Sequence, residues 1–303
     1  MFDSLIDKLK GGSYLTLETT PPKEPHIQNI ITKIQNLGLD KKVDGFSATD
    51  NPLAKLKYSG LFAALKLQQT FNKPTIATMA MRDKNKIALQ SDLLGANDFD
   101  VRAILALTGD PASMSDQPNA KGVFEGNSLM LLEIIKSFNG GFDFGGRPFK
   151  TKPKHIYPFA VTGSFAKNFA HLQKKIHHKI EHGAVGIITQ PIYDLDNAKV
   201  LLELFNQAKS SFGDERADAA LIFGIFPITR LRTAQFLSAH VPGVHVPNYW
   251  IDELSAAAKI SEEEEQKVGM KLSSELFNGI KNINPKIHLM TANKFEIASE
   301  LIG

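Results

Sequence analysis

The stretch "RAILALTGDP", Arg102 to Pro111, carries the reading that decides the fold. Ala103 to Leu107 is a continuous apolar run too short for a helix, so it reads as a strand covered on both faces. Thr108, Gly109, Asp110 and Pro111 then break it with turn chemistry, which hangs a carboxylate on the end of a buried element. The same grammar recurs along the chain. With "YLTLE" (14–18), "VDGFSAT" (43–49), "TIATMA" (75–80), "IYPFAVT" (156–162), "VGIITQ" (185–190), "ALIFGI" (220–225) and "KIHLMT" (286–291), the strand candidates number eight.

Helical spacing of apolar residues fills the intervals, at 27–37, 53–69, 87–96, 128–138, 169–182, 198–208 and 233–240. Near-continuous hydrophobic strands alternating with helices are the mark of a parallel sheet with both faces covered. Eight such units in 303 residues predict an α/β fold, a closed (β/α)8 TIM barrel forming one domain over residues 1–303. No Gly-x-Gly-x-x-Gly follows any strand, which weighs against an open dinucleotide-binding sheet. Two departures from a minimal barrel stand out. One is the long connection from Asp110 to Lys154, rich in Gly and Pro at "NGGFDFGGRP"; the other is a helical insertion before the last strand. The "EEEE" run in that insertion, Glu262 to Glu265, reads as a solvated helix start favoured by the helix dipole.

Composition narrows the partners. Thirty-five basic and 32 acidic residues are interspersed, with a net charge of +3, so no basic stripe for nucleic acid is apparent. Cysteine is absent, which excludes disulfides, thiolate metal sites and a cysteine nucleophile and agrees with a cytoplasmic location. The longest apolar run, "AALIFGIF" at 219–226, is far below the roughly 18 residues of a membrane span. The opening "MFDSLIDKLKGG" reads as a short amphipathic helix stopped by Gly11 and Gly12, with Asp3 and Asp7 interrupting any signal-peptide core.

Barrel enzymes keep their chemistry at the carboxyl ends of the strands. There the chain places Glu18, Thr49 with Asp50, Thr108 with Asp110, Thr189 with Gln190, and Thr291 with Asn293 and Lys294. Each alone has an ordinary structural reading; Asp110 before Pro111, for instance, suits a turn cap. Together they form one polar rim around a planar, hydrogen-bonding ligand. His177 and His178 fall on the polar side of their helix, no histidine pair has the company of a zinc site, and no Gly-x-Ser-x-Gly elbow is present. Neither a metal nor a serine triad is expected.

In order along the chain, "LETTPP" (17–22), "VDGFSATDNP" (43–52), "RDKNKIALQSDLLGA" (82–96), "ILALTGDP" (104–111), "KIEHGAVGIITQPIYD" (179–194), "GIFPIT" (224–229) and "HLMTANK" (288–294) resemble the methylenetetrahydrofolate reductase family, above all its Arg-Asp-x-Asn branch. The resemblance implies a homo-oligomeric flavoprotein of one-carbon metabolism and methionine biosynthesis. It would pass a hydride from NADH or NADPH through FAD to 5,10-methylenetetrahydrofolate, giving 5-methyltetrahydrofolate. By position, Glu18 matches the general acid that protonates the folate's bridging nitrogen, a role open to a carboxylic acid kept neutral by partial desolvation. Asp110 matches the aspartate between flavin and pterin, and Gln190 the glutamine that meets folate and nicotinamide in turn. Thr49, Thr78, Thr108, Gly109 and Gly126 fall at flavin positions, as do Val161, Thr162 and Lys179, the last facing phosphate. Leu231 and Lys294 fall on the substrate side. The chain departs from the family pattern at Thr78, where relatives have histidine, and at "AVTGSF" (160–165). Two alternatives keep the folate site: electrons from a partner protein with loosely held flavin, or a non-catalytic folate-binding subunit.

Overall fold

The computed structural model describes residues 1–241 and 243–303. In chain order the elements are α1 (Phe2–Gly11), β1 (Tyr14–Thr19), α2 (Gln28–Asn36), α3 (Leu39–Lys42), β2 (Gly45–Ala48), α4 (Gly60–Phe71), β3 (Thr75–Ala80) and α5 (Lys86–Asp98). There follow β4 (Ala103–Leu107), α6 (Ser128–Gly140), β5 (Tyr157–Thr162), α7 (Phe169–Glu181), β6 (Gly186–Pro191), α8 (Leu195–Lys209) and β7 (Ala220–Ile225). The chain ends with α9 (Leu231–His240), α10 (Asn248–Ala258), α11 (Glu262–Ile283), β8 (Lys286–Leu289) and α12 (Phe295–Ile302). The eight strands pair in parallel, each with the next, and β8 returns to β1 through Tyr14 opposite Lys286 and Leu17 opposite Leu289. The result is the expected closed (β/α)8 barrel, with α10 and α11 as the insertion before the last strand.

Strand parity separates two apolar cores. Tyr14, Ile76, Ala103, Leu105, Phe159 and Ile222 face inward and pack with one another. Their neighbours Leu17, Ala77, Ile104, Ala160 and Phe223 face outward against the helices. Side chains two residues apart share a face, so Thr16 and Glu18 line the interior above Tyr14, and His288 lines it opposite Thr16. The inner core also contains Phe2, Leu5 and Leu9 of α1, which closes the amino end of the barrel. Phe2 stacks on Tyr157 at 6.0 Å between ring centres, and the Arg102 guanidinium lies 4.8 Å over the Phe2 ring.

Four expectations change. The helix expected from Leu53 begins only at Gly60; Pro52 to Ala54 form a single tight turn with Asn51, Leu53 and Ala54 in the left-handed region. The eighth strand stops at Leu289, two residues early. His177 is half-buried, its ring stacked on Phe212 at 4.8 Å. Glu265 does not share the solvated fate of the acidic run but is buried against the start of α9. Neither α3 nor α12 stood out in the apolar spacing. Among the described residues no helix is long and apolar enough to cross a membrane, and no group of three or more His, Asp or Glu could hold a metal ion.

Candidate active site

Glu18 ends the inner face of β1 with its side chain 22% exposed. Beneath it lies His288, only 2% exposed, with Nε2 3.6 Å from Glu18 Oε2 and Nδ1 2.8 Å from Thr16 Oγ1. The sequence reading gave His288 no role, although it opens the "HLMTANK" stretch, because it sits inside an otherwise apolar strand rather than at its end. Next to it on the rim, Asn293 is committed to structure: its amide accepts from Thr20 N at 2.9 Å and donates to Thr20 O at 2.7 Å, tying the end of β8 to the end of β1. Thr291 Oγ1 is buried without a partner among the described residues, and Lys294 is exposed at the rim.

On the neighbouring arc, Thr49 Oγ1 is likewise buried and unpartnered among the described residues. Asp50 accepts from Ala80 N at 3.2 Å; burial pushes its carboxyl above the usual carboxylate range, although nearby Lys84 pulls the other way. Asp110 is half-buried and accepts from Leu53 N at 2.7 Å, so the β2–α4 loop folds over the aspartate. Arg82, the first residue of the Arg-Asp-x-Asn segment, to which the sequence gave no individual role, secures the same loop by donating to Asn51 O at 3.0 Å while it grips Asp83 at 2.6 Å. Gly109 has φ +93°, and a Cβ there would meet the Cβ of Arg82 at 2.8 Å. Its freedom serves this close approach of two chain segments. Thr108 Oγ1 accepts from Ser128 N at 3.1 Å and so ties the start of α6 to the rim. Gly126, two residues earlier, lies where a Cβ would strike Met130 Sδ at 2.5 Å.

The far arc holds the remaining positions. Thr78 is buried within β3, on the inward parity of Ile76. Val161 faces inward, whereas Thr162 takes the opposite parity, shared with Ala160 against the helices. The Lys179 ammonium reaches from α7 to the Val161 carbonyl. Burial pushes it down to about 8, helped by the charge of Lys175, with no carboxylate acting on it. Gln190 shares the inward parity of Ile188 and is half-buried, with no side-chain hydrogen bond to the described residues. The Thr189 hydroxyl, by contrast, is fully used: it accepts from Gly224 N at 2.9 Å and donates to Gln190 O at 2.8 Å at an irregularity between β6 and β7. The "AVTGSF" segment turns out to be a tie between loops, with buried Ser164 donating to Pro191 O at 2.7 Å and Phe165 stacked on His245 at 4.7 Å.

Leu231 starts α9 after β7, and the insertion helix α11 fixes it there. Glu265 accepts from Leu231 N at 2.7 Å and from Arg230 at 2.8 Å, while Ser273 exchanges bonds with Ile228. Burial works against the Glu265 carboxylate, but the Arg230 and Leu231 bonds outweigh it and hold the group below its ordinary range. A cavity of about 540 Å³ lies at the opposite, amino-terminal face, lined by Leu9, His155, Tyr157, His182 and Arg216. None of the strand-end residues named above lines it. The rim brings together a carboxyl over a buried imidazole, a second carboxylate, a free amide, and two unpartnered buried hydroxyls. This is a donor and acceptor set for a flat polar heterocycle with an acid beside it.

Comparison with known proteins bears on the family and the fold. The family model described as methylenetetrahydrofolate reductase matches residues 2–303. Methylenetetrahydrofolate reductase 2 of Schizosaccharomyces pombe is 23% identical over 294 residues, covering 94% of this chain and 44% of its own length. The chain therefore spans less than half of that relative. Among solved structures, an uncharacterised Clostridium thermocellum protein that binds two copies of 5-methyl-5,6,7,8-tetrahydrofolic acid superposes with a TM-score of 0.64 at 16% identity, covering 100% of this chain and 98% of the other. DmoA from Hyphomicrobium sulfonivorans superposes at 0.57 with 9% identity, covering 96% and 86%. These two share the fold, while the match along nearly the whole sequence decides the family: the chain belongs to the methylenetetrahydrofolate reductase family.

Proposed function

We propose that this chain reduces 5,10-methylenetetrahydrofolate to 5-methyltetrahydrofolate at the carboxyl rim of the barrel, with FAD as the bound hydride carrier and NADH or NADPH as the donor. The observation that carries the reading is Glu18, a half-buried carboxyl at the rim with a buried imidazole 3.6 Å beneath it. The protonated Glu18 gives its proton to the folate's bridging nitrogen. The bond from that nitrogen to the one-carbon unit then breaks, the electron pair stays on nitrogen, and a cationic iminium is left to accept hydride. Asp110 favours that cation through its charge. Gln190, free of protein partners among the described residues, has both a donor and an acceptor for the pterin edge.

The residues fit a flavin nucleotide on two observations. Lys179 is a half-buried cation with no carboxylate acting on it, suited to a phosphate, and Thr49 Oγ1 is a buried hydroxyl without a partner among the described residues. Thr108, Gly109, Gly126 and Val161 complete the contacts inferred for it, with Thr78 deeper in the barrel; Thr162 would act only through its backbone. A flavin held there supplies the hydride. Leu231 and Lys294 bound the substrate side. On the same reading the chain is a cytoplasmic homo-oligomer whose product serves methionine synthesis.

The test is an absorbance spectrum of the purified protein, expected to show bound flavin, beside an assay for folate-dependent oxidation of NADH and NADPH. Folded protein that neither binds added FAD nor turns over folate, alone or with a co-purified subunit, defeats the proposal. In Glu18→Gln, folate reduction should fall by at least about 100-fold, within the range expected for a lost general acid, while NAD(P)H oxidation by menadione continues.

A further inference from the structure

His288 opens the "HLMTANK" stretch but was given no role there, yet it is the one side chain that reaches Glu18 from inside the barrel among the described residues. Its surroundings are simple. Thr16 Oγ1 lies 2.8 Å from Nδ1, Ser47 Oγ lies 3.5 Å from Nε2, and the carboxyl of Glu18 lies 3.6 Å from the same nitrogen. On the other flank β7 presents Gly224, which has no side chain. Glu18 is thus the single charged group against the ring among the described residues.

A neutral imidazole has one N–H and one acceptor nitrogen, and the partner of one decides the state of the other. If Thr16 donates its hydroxyl proton to Nδ1, the ring proton stands on Nε2 and faces Glu18. Negative charge appears on that carboxyl as its proton leaves for the folate nitrogen. A donor already aimed at the place where charge develops lowers the barrier, because it needs no reorganisation during the step. The 3.6 Å separation is long for a hydrogen bond and short enough to close once the carboxylate forms.

We propose that His288 is the positioning residue of Glu18, with Thr16 fixing its tautomer so that Nε2–H faces the carboxyl. The proposal rests on the folate reading above. It has the logic of an outer-shell partner that orients a reactive group, whose removal typically lowers activity by about 10- to 100-fold.

Two measurements on the full chain test it. Two-bond proton–nitrogen correlation spectra of nitrogen-15-labelled histidine should show His288 as the Nε2–H tautomer, with that state lost in Thr16→Val and the Nε2 resonance moved in Glu18→Gln. In the folate assay, Thr16→Val and His288→Leu should lower kcat by about 10- to 100-fold with KM nearly constant, and Thr16→Ser should restore it. An Nδ1–H tautomer, a ring indifferent to Thr16→Val, or a Thr16→Val kcat equal to wild type overturns the assignment even if His288→Leu does not fold. Wild-type protein that reduces no folate overturns the functional reading, and the catalytic role of His288 with it. Wild-type turnover beside a His288 ring that Thr16→Val leaves unchanged overturns the present inference alone.

Discussion

Lys179 shows how a single ammonium drawn out of water burdens the fold. Its ammonium is held on the Val161 carbonyl with no acid to balance it, and burial brings it down to about 8 from 10.5. Between those two values the native chain has released a proton that the unfolded chain still holds. Stability from this group therefore rises with pH across the window, and below about 8 the full penalty applies. Lys179→Met should stabilise the protein by about 1 kcal/mol at pH 7 and by progressively less toward pH 10. Thermal melts at the two pH values check this, and flavin titration of the same variant should show weaker binding. Residues at strand ends, such as Glu18, Asp110 and Gln190, could be read from the sequence because a polar group that closes an apolar run stands out against it. His288 could not. One polar residue at an inward position of "KIHLM" looks like a gap in the strand until the neighbouring strands supply Thr16 and Ser47.

At the scale of elements, the insertion helix α11 acts as a clamp on the β7–α9 loop. Glu265, Gly269 and Ser273 stand on one stripe of the helix; Ser273 and Glu265 bond to Ile228, Arg230 and Leu231. A Cβ on Gly269 would come within 2.5 Å of the Ile228 carbonyl. Glu265→Gln should cost about 1–3 kcal/mol, because it weakens the two charge-assisted bonds of one buried carboxylate. If Leu231 lies against substrate, the variant should also raise KM for folate more than it lowers kcat. Denaturant melts and steady-state kinetics separate the two effects. The acidic run concealed this role through its uniformity, yet the signal was present: spacings of four, four, three and four lead from Glu265 through Gly269, Ser273 and Leu276 to Ile280, all buried. The turn at Leu53 was hidden for a different reason. Its left-handed backbone follows from a bond to Asp110, 57 residues away, which no local pattern announces.

For the whole molecule, the barrel was legible because eight apolar runs each ended in turn chemistry, and a parallel sheet of that number closes. What local pattern left out was the partition of the interior into two apolar cores that divide the strand residues by parity. The strand-end polar residues sit at one end of the inner core and α1 seals the other. Leu5→Ala, at the sealed end, should cost about 2–4 kcal/mol in thermal or denaturant unfolding, the usual range for truncating a buried leucine, with little change in kcat at about 20 °C.

The seal formed by α1 also bears on the order of assembly. Its ties run to distant parts of the chain: Asp3 accepts from the Tyr157 hydroxyl 154 positions on, and Lys10 pairs with Asp218, 208 positions on. Contacts of such separation carry a loop-closure cost, so α1 is expected to dock late, and Leu5→Ala should speed unfolding more than it slows folding in stopped-flow measurements. Full burial of Phe2, Leu5 and Leu9 needs β5 and β7, which bring Phe159, Ala220 and Ile222 to the same core.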